Sequence, residues 1–322
     1  MSSHPRIGLA LSGGGARGWA HIGVLEVLRE EGIAVYCIAG TSMGALVGAV
    51  YAAGRLDDLR HVAVDLDWKR VLGYFAEFSL PGSGLIDGRK VRQFLHEYIG
   101  ATTIERLNLP FAAVATNIET GSEVILRDGD VVDAVRASIA IPGLFTPGRR
   151  DGAFLVDGGL VNPIPVSVAR ALGADVVIAV DVVRAPLPVQ DDARAEPVRR
   201  PRAKRPRAEI AARVFDLIEE RIEHLSRPRA AAIGGRRCAA PGIFDVFGNA
   251  GRIVQRQIAD MRLAREPPDV LIQPDLQQIS TMDFRRAAEA IAAGRAAAVS
   301  VLPALRRQGA GQKPTPAGLP RR

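Results

Sequence analysis

A serine between two glycines has the residue types of an activated nucleophile. Residues 40–44 read Gly-Thr-Ser-Met-Gly, the pattern Gly-x-Ser-x-Gly with Ser42 at its centre. The pattern forms a tight strand-to-helix turn in which Gly40 and Gly44 let neighbouring backbone approach and the serine hydroxyl stands clear of the sheet. It therefore predicts covalent acyl transfer at Ser42. Glycine-rich turns of this kind also occur for packing alone, so the rest of the chain must decide.

A serine hydroxyl needs a base, and the sequence favours an aspartate over a histidine. Only His224 follows the candidate acid Asp157, and it lies on a charged predicted helix, which disfavours a Ser-His-Asp triad. The other histidines are His4, His21, His61 and His96. Asp157 ends a predicted buried strand and precedes Gly158 and Gly159, although an isolated Asp-Gly-Gly is more often only a capped turn. Because a free aspartate has a pKa of about 3.9, a Ser42–Asp157 dyad requires burial of the carboxylate.

The segment Ser-Gly-Gly-Gly-Ala-Arg-Gly at residues 12–18 predicts a site for negative charge. Consecutive glycines at the start of a helix direct free N–H groups toward one point, which suits the oxyanion of a tetrahedral intermediate. The amides around Gly14 and Gly15 are the expected donors, and Arg17 either braces the loop, balances the charge or lies at the surface. The predicted oxyanion loop consists of Gly13, Gly14, Gly15, Ala16, Arg17 and Gly18.

The same glycines permit a second interpretation, a nucleotide- or phosphate-binding regulatory protein. Gly13, Gly15 and Gly18 satisfy Gly-x-Gly-x-x-Gly after a predicted strand. That fingerprint expects an acidic residue at the end of the second strand, where this chain has Gly40 and then Ser42. A phosphate-binding P-loop would need a lysine that is also missing. The interpretation is weaker than the hydrolase but stays open.

Hydrophobic periodicity predicts a β-α-β-α beginning and hence a largely parallel sheet covered on both faces. The predicted strands are 7–11, 35–39, 111–116, 123–126, 154–156, 175–182 and 269–273. The predicted helices are 19–31, one that starts at residue 43, 89–99, 130–139, 163–172, 209–225, 244–263 and 283–302. Aromatic residues at 72–81 predict a core-facing loop, a cover over an acyl pocket or a surface that dips into lipid.

The composition of the chain restricts the classes of protein to which it can belong. The chain has 322 residues, 48% of them hydrophobic, and a net charge of +7 that comes mainly from arginine. Two cysteines, Cys37 and Cys238, do not make a disulfide framework or a zinc site, which predicts a reducing compartment. No uncharged apolar stretch approaches the ~20 residues of a membrane span, so membrane contact is expected to be peripheral.

Four segments of different composition are predicted. They are a catalytic core at 1–183, a Pro/Arg-rich insertion at 184–208, a C-terminal helical part with one further strand at 209–308, and a tail at 309–322. The insertion is too poor in apolar residues to bury itself and is expected to be solvated. A third hypothesis is that its arginines make the chain an adaptor for anionic lipid or nucleic acid.

Four blocks in order resemble the bacterial patatin-like phospholipases, of the branch that includes the catalytic domain of neuropathy target esterase. The blocks are GGGARG at 13–18, GTSMGA at 40–45, ASIAIPGLFTP at 137–147 and DGG at 157–159. The resemblance implies an α/β fold, a three-layer α/β/α patatin-like fold with a mostly parallel central sheet, and a Ser-Asp dyad without histidine. On that pattern Ser42 attacks an ester carbonyl, Asp157 accepts its proton and later activates water, and the loop at 13–17 binds the oxyanion.

The resemblance also implies partners and conditions. The expected substrate is a phospholipid, lysophospholipid or related lipid ester, and neither a metal nor another cofactor is needed. We expect a cytoplasmic protein with peripheral contact at an anionic inner-membrane surface and no specific binding of nucleic acid.

Overall fold

The central element of the fold is an eight-stranded sheet, seen in a computed structural model that describes residues 5–65, 88–100, 102–184 and 243–308. The strand order is β5-β6-β3-β2-β1-β7-β8, and β4 also pairs with β3. The strands are β1 (Ile7–Leu11), β2 (Val35–Thr41), β3 (Phe111–Asn117), β4 (Glu123–Leu126), β5 (Gly148–Arg150), β6 (Ala153–Asp157), β7 (Val176–Val180) and β8 (Val270–Ile272). The predictions for 72–81, 185–208 and 209–225, with His224 and Cys238, lie outside the described residues.

Helices cover both faces of this sheet, so the chain forms three layers. The helices are α1 (Ala20–Glu30), α2 (Met43–Ala52), α3 (Leu56–Asp65), α4 (Arg89–Ile99), α5 (Val131–Ser138), α6 (Val166–Ala171), α7 (Ile243–Arg265) and α8 (Ala287–Arg307). One apolar cluster joins the sheet to α1, α2, α5 and α8, and a second joins the opposite face to α6 and α7. Because β1, β2 and β7 are apolar on both faces, they read as continuous hydrophobic runs and are predictable from sequence.

Strand β3 brings two other strands end to end. Thr41 at the end of β2 pairs with Val114, and Asp157 at the end of β6 pairs with the next residue, Ala115. Strand β4 pairs with both of these β3 residues. Since a strand has only two edges, β2 and β6 must share the other edge of β3 and run toward each other. Their ends therefore meet beside Ser42.

The sheet is mixed, with antiparallel pairing confined to one part. The pairs among β1, β2, β3, β7 and β8 are parallel, whereas β4, β5 and β6 pair antiparallel to their neighbours. Strand β5 was not predicted because Gly148–Arg150 is short and polar. The amphipathic helix α3 was also not predicted.

Two element boundaries differ from the sequence prediction for local reasons. The first helix, predicted from Trp19, is preceded by a 3₁₀ turn over Gly15–Trp19, because glycines with positive φ shape this stretch. The insertion was predicted to begin at residue 184, but Arg184 is bonded to the core. Its guanidinium pairs with Asp181 at 2.5 Å and with Asp260 of α7 at 3.0 Å.

Helix α8 is the one described helix that compares in length and apolar composition with a membrane span, but it contains charged residues, so the expectation of no uncharged apolar stretch of that length stands. Judged by length and composition alone, residues Phe284–Arg307 could cross a membrane. In the fold this helix packs on α1, where its Gly294 lies against the carbonyl of Ala20. Arg295 also pairs with Glu26 at 3.0 Å and with Glu30 at 2.7 Å. Its apolar residues therefore serve the domain core, at least in part.

Candidate active site

Ser42 sits on the turn between β2 and α2 in a conformation that side chains rarely adopt. Its backbone has φ 54 and ψ −122, in the positive-φ region that costs a non-glycine residue free energy. A Cβ on Gly40 would lie 2.5 Å from Cα of Ala45, and one on Gly44 would overlap the carbonyl oxygen of Leu11. Only glycine therefore fits at positions 40 and 44, as the pentapeptide pattern predicts. The tight turn holds the serine hydroxyl at the end of the sheet.

The Ser42 hydroxyl is hydrogen-bonded to Asp157. Ser42 Oγ donates to Asp157 Oδ2 at 2.5 Å, and the Gly159 amide donates to Oδ1 at 2.8 Å. The main chain of the aspartate is fixed as well, because its N–H donates to the Ala140 carbonyl at 2.9 Å and its carbonyl accepts from Thr116 Oγ1 at 2.9 Å. The carboxylate is thus oriented from both ends, with one oxygen directed at the serine.

Burial makes Asp157 a stronger base than a free aspartate. Its side chain is 3% exposed, and loss of solvent raises the pKa of the carboxyl from 3.8 to about 6, against the smaller opposing effects of the Ser42 hydroxyl and the Gly159 amide. With that pKa, roughly nine in ten of these carboxyls are ionised at neutral pH. Asp157 therefore combines an available charge with an affinity for protons that suits a general base.

Ser138 is a polar contact of Ser42 that no sequence motif singles out. Its Oγ accepts a hydrogen bond from the Ser42 amide at 2.9 Å and donates to the Val114 carbonyl at 2.6 Å. It thereby ties the turn to β3. The only signal in the sequence was its position inside the 137–147 block, which pointed to the site as a whole and to no single residue.

The glycine loop lies beside the nucleophile, but its amides are not equivalent. A Cβ on Gly13 would lie 3.3 Å from Cβ of Ser42, so the two segments are adjacent. The Gly13 amide donates to the Pro163 carbonyl at 3.1 Å, and the Ala16 amide donates to the Thr281 carbonyl at 2.8 Å. Within the described chain, the amides of Gly14 and Gly15 have no such acceptor. Of the predicted donors, these two remain available for an oxyanion.

Of the three roles that the sequence allowed for Arg17, the structure favours bracing of the glycine loop. The residue is buried, and its Nε donates to the Ile279 carbonyl at 2.7 Å. Burial lowers the pKa of the guanidinium to about 10, and repulsion from Arg252 acts in the same direction. Gly18, the last residue of the loop, leaves no room for a Cβ because the Met43 side chain lies against it. The loop is therefore held by a segment some 260 residues later in the chain.

A buried histidine supports the loop and does not contact the dyad. His21 Nε2 lies 2.8 Å from the Ser12 carbonyl oxygen, and burial lowers the pKa of the ring to about 4. The ring is thus neutral at physiological pH and donates from Nε2. Among the described residues, no histidine is hydrogen-bonded to Ser42 or Asp157.

The two glycines after Asp157 face different neighbours. A Cβ on Gly158 would overlap the Val114 carbonyl oxygen, whereas one on Gly159 would lie 2.6 Å from Nε2 of Gln255 on α7. Helix α7 therefore packs directly over the Asp-Gly-Gly turn. Nothing in the local sequence pattern predicts this contact, because the two residues are far apart in the chain.

Comparisons with known proteins identify the family of this chain. The family model described as patatin-like phospholipase matches residues 9–170. An uncharacterized NTE family protein of Mycobacterium tuberculosis is 35% identical over 94% of this chain and 93% of its own length. The mouse patatin-like phospholipase domain-containing protein 6 is 37% identical over 55% of this chain and 13% of its own. Among solved structures, VipD from Legionella pneumophila has a TM-score of 0.45 and 15% identity, covering 94% of this chain and 67% of that one.

Proposed function

Because the chain belongs to the patatin-like phospholipase family, and hence to the lipid acyl hydrolases, we propose that it cleaves carboxylic esters of phospholipid or lysophospholipid. The proposed reaction passes through a covalent acyl-Ser42 intermediate. The observation that carries the proposal is the 2.5 Å hydrogen bond from Ser42 Oγ to the buried Asp157 carboxylate. This contact pairs a nucleophile with a base whose pKa is raised to about 6.

In the first half of the reaction, Ser42 Oγ attacks the ester carbonyl carbon and its proton passes to Asp157 Oδ2. The carbonyl oxygen becomes an oxyanion, for which the amides of Gly14 and Gly15 and the N-terminus of α2 provide a positive environment. The C–O bond to the alcohol then breaks. The departing alkoxide takes the proton from Asp157, which leaves acyl-Ser42 and a carboxylate ready for the second half.

In the second half, a water replaces the alcohol. Asp157 takes one proton from the water as its oxygen attacks the acyl carbonyl, and a second oxyanion forms at the same place. When this intermediate breaks down, Ser42 Oγ leaves and recovers the proton from Asp157, and a fatty acid is released. The aspartate acts as base and then as acid in each half, so no histidine is needed.

The proposal is tested with a serine-directed fluorophosphonate and with two esters, a short-chain p-nitrophenyl ester and a lysophospholipid. Ser42→Ala should abolish labelling, and both Ser42→Ala and Asp157→Asn should lower hydrolysis by about a thousandfold or more. The matched control is Ser300→Ala, an exposed serine on α8 that should leave both signals unchanged. Circular dichroism reports whether each variant is folded.

Two results would count against the dyad. Near-wild-type turnover by Asp157→Asn, combined with loss of activity in His224→Ala, would replace it with a histidine-based triad. Lack of labelling in a folded wild type that binds a nucleotide would instead favour the phosphate-binding interpretation, for which the free amides of Gly14 and Gly15 are also suited.

A further inference from the structure

The outward face of helix α7 is unusually apolar. Ile253, Val254 and Met261 have exposures of 58%, 48% and 64%, the first and last among the most exposed large apolar residues of the described chain. Ile253, Gln257 and Met261 follow one another at helical spacing, and Val254 adjoins them. Alanines at 250 and 264 complete this outer face and are also exposed. Apolar side chains gathered on one exposed helix face mark a candidate contact surface.

The inward face of the same helix is bound to the catalytic domain. Ala259 is fully buried in the apolar cluster on that side of the sheet, and Gln255 lies against Gly159 beside the Asp157 carboxylate. Two ion pairs hold the helix in place, Arg262 with Glu123 at 3.1 Å and Asp260 with Arg184 at 3.0 Å. Whatever contacts the outer face is therefore separated from the Asp-Gly-Gly turn only by the thickness of one helix, roughly 10 Å.

Arginines border the apolar residues. Arg256 and Arg265 are exposed, and neither pairs with a carboxylate of the described residues. The acidic residues Asp260 and Glu266 are each within reach of an arginine. The outer face thus has apolar side chains with uncompensated positive charge beside them, a combination typical of helices that lie at the surface of an anionic membrane.

We propose that the outer face of α7, consisting of Ile253, Val254, Gln257 and Met261 with Arg256 and Arg265, docks the protein on an anionic lipid bilayer. The apolar side chains enter the boundary between headgroups and acyl chains, and the two arginines contact lipid phosphates. Docking brings the Asp-Gly-Gly turn within the thickness of one helix, roughly 10 Å, of the bilayer, whose lipids carry the esters. The proposal rests on the proposed lipid-ester activity for its biological sense but is tested independently of it.

Charge favours a bilayer over a second copy of the chain and over residues 185–208 as the occupant of this face. A second copy of the chain would bring the same arginines toward each other and carries a net charge of +7, so self-association on this face meets repulsion. The Pro/Arg-rich residues 185–208 are also basic and offer no complementary charge. An anionic surface matches both the apolar residues and the arginines.

The test measures sedimentation of the full chain with vesicles of ether-linked phosphatidylcholine, with and without ether-linked phosphatidylglycerol. Ether lipids have no ester bond to cleave, so binding is read without catalysis. The wild type should bind the vesicles that contain phosphatidylglycerol, and Ile253→Ser/Val254→Ser/Met261→Ser should weaken that binding by roughly tenfold or more. Arg256→Gln/Arg265→Gln should weaken it by roughly fivefold for each arginine and reduce its dependence on salt.

The matched control is Val299→Ser on α8, which removes a valine of 54% exposure from another surface and should leave binding unchanged. The proposal is overturned if the wild type binds neither kind of vesicle or if the triple variant binds as the wild type does. It is also overturned if the triple variant converts a dimer into a monomer, or lowers the melting temperature, with vesicle binding unaltered. Those results would assign the face to a second copy or to another segment of this chain.

Fluorophosphonate labelling of the wild type separates this failure from failure of the proposed function. Labelling without vesicle binding would support the proposed hydrolase and contradict the docking surface. Binding without labelling does the reverse.

Discussion

At the scale of single residues, the central feature is one buried carboxylate in the candidate site. Among the described residues, the Asp157 carboxylate accepts hydrogen bonds from the Ser42 hydroxyl and the Gly159 amide and from no cation. Its charge is therefore costly to hold in the fold, and that cost is what raises its pKa to about 6. The same desolvation that strengthens the base lowers the stability of the folded state, since one free-energy difference underlies both effects.

The pH dependence of the reaction should report this carboxyl. The value of kcat/KM should rise from about pH 5 to about pH 7 with a midpoint near 6, because only ionised Asp157 accepts the serine proton. Steady-state hydrolysis of a soluble ester across this range measures it. A midpoint below about 4.5 would mean that the base titrates as a solvated carboxyl does.

Asp157→Asn should stabilise the protein above about pH 6 while it removes activity. In the wild type, the folded carboxyl keeps its proton up to pH 6 and the unfolded one loses it near pH 3.8, so stability falls as pH rises between these values and then levels off. The difference corresponds to at most about 3 kcal/mol. The gain in unfolding free energy should thus be largest near pH 8 and small near pH 4.

Urea unfolding of both proteins at these two pH values measures the difference. Ser42→Ala provides the comparison, because it removes the hydroxyl partner but keeps the buried charge. A variant that is less stable than the wild type at both pH values would show that the hydrogen bonds of the carboxylate outweigh its desolvation.

At the scale of elements, the glycine loop is fitted between a strand and the C-terminal segment. A Cβ on Gly14 would lie 2.6 Å from Val182 Cγ2, and one on Gly15 would overlap the carbonyl oxygen of Thr281. Both glycines also have positive φ, at 146 and 57. The loop conformation that leaves their amides free is therefore available to glycine and strained for other residues.

Gly14→Ala should lower kcat by roughly tenfold to a hundredfold with a smaller change in KM, because a displaced amide stabilises the oxyanion less. Gly32→Ala is the matched control. Gly32 also has positive φ, at 68, but no atom of the described residues lies within 4 Å of a Cβ built on it, and it is remote from the loop. It should cost about 1 kcal/mol of stability and leave kcat unchanged. Equal kinetic losses in the two variants would remove the assigned role of Gly14.

At the scale of the whole molecule, the C-terminal part completes a domain that the family match covers only to residue 170. Strand β8 extends the sheet beside β7, and α8 packs along α1. The segment between them supplies the carbonyls of Ile279 and Thr281 that hold the glycine loop. The conformation of the glycine loop therefore depends on residues outside the part that carries the motifs.

A chain that ends at residue 184 should fail to form the site although it retains Ser42, Asp157 and the glycine loop. Loss of β8 and α8 exposes apolar surface on α1 and β7 and removes the acceptors of the loop. Fluorophosphonate labelling and circular dichroism of this chain, compared with one that ends at residue 308, measure the effect. Full labelling of the shorter chain would show that residues 1–184 form the site unaided.

The sequence by itself determined the residue types of the site and most of the elements that hold them. Gly40, Ser42 and Gly44 mark a strand-to-helix turn, and Asp157 marks the end of a buried strand, because turn chemistry and hydrophobic periodicity are local properties. The bounds of α4 and β4 agree with the prediction to the residue. The family that the four blocks resemble is confirmed by the comparisons.

Only the tertiary structure decided how these pieces meet. Ser42 and Asp157 are 115 residues apart and come together because β2 and β6 share one edge of β3. The burial of Asp157 and the acceptors that occupy the amides of Gly13 and Ala16 depend on the same long-range packing. Local patterns specify which residue can act. The distances between these residues, the pKa of Asp157 and the availability of amide donors are set by neighbours that lie far away in the chain. For that physical reason, a local sequence pattern does not predict them.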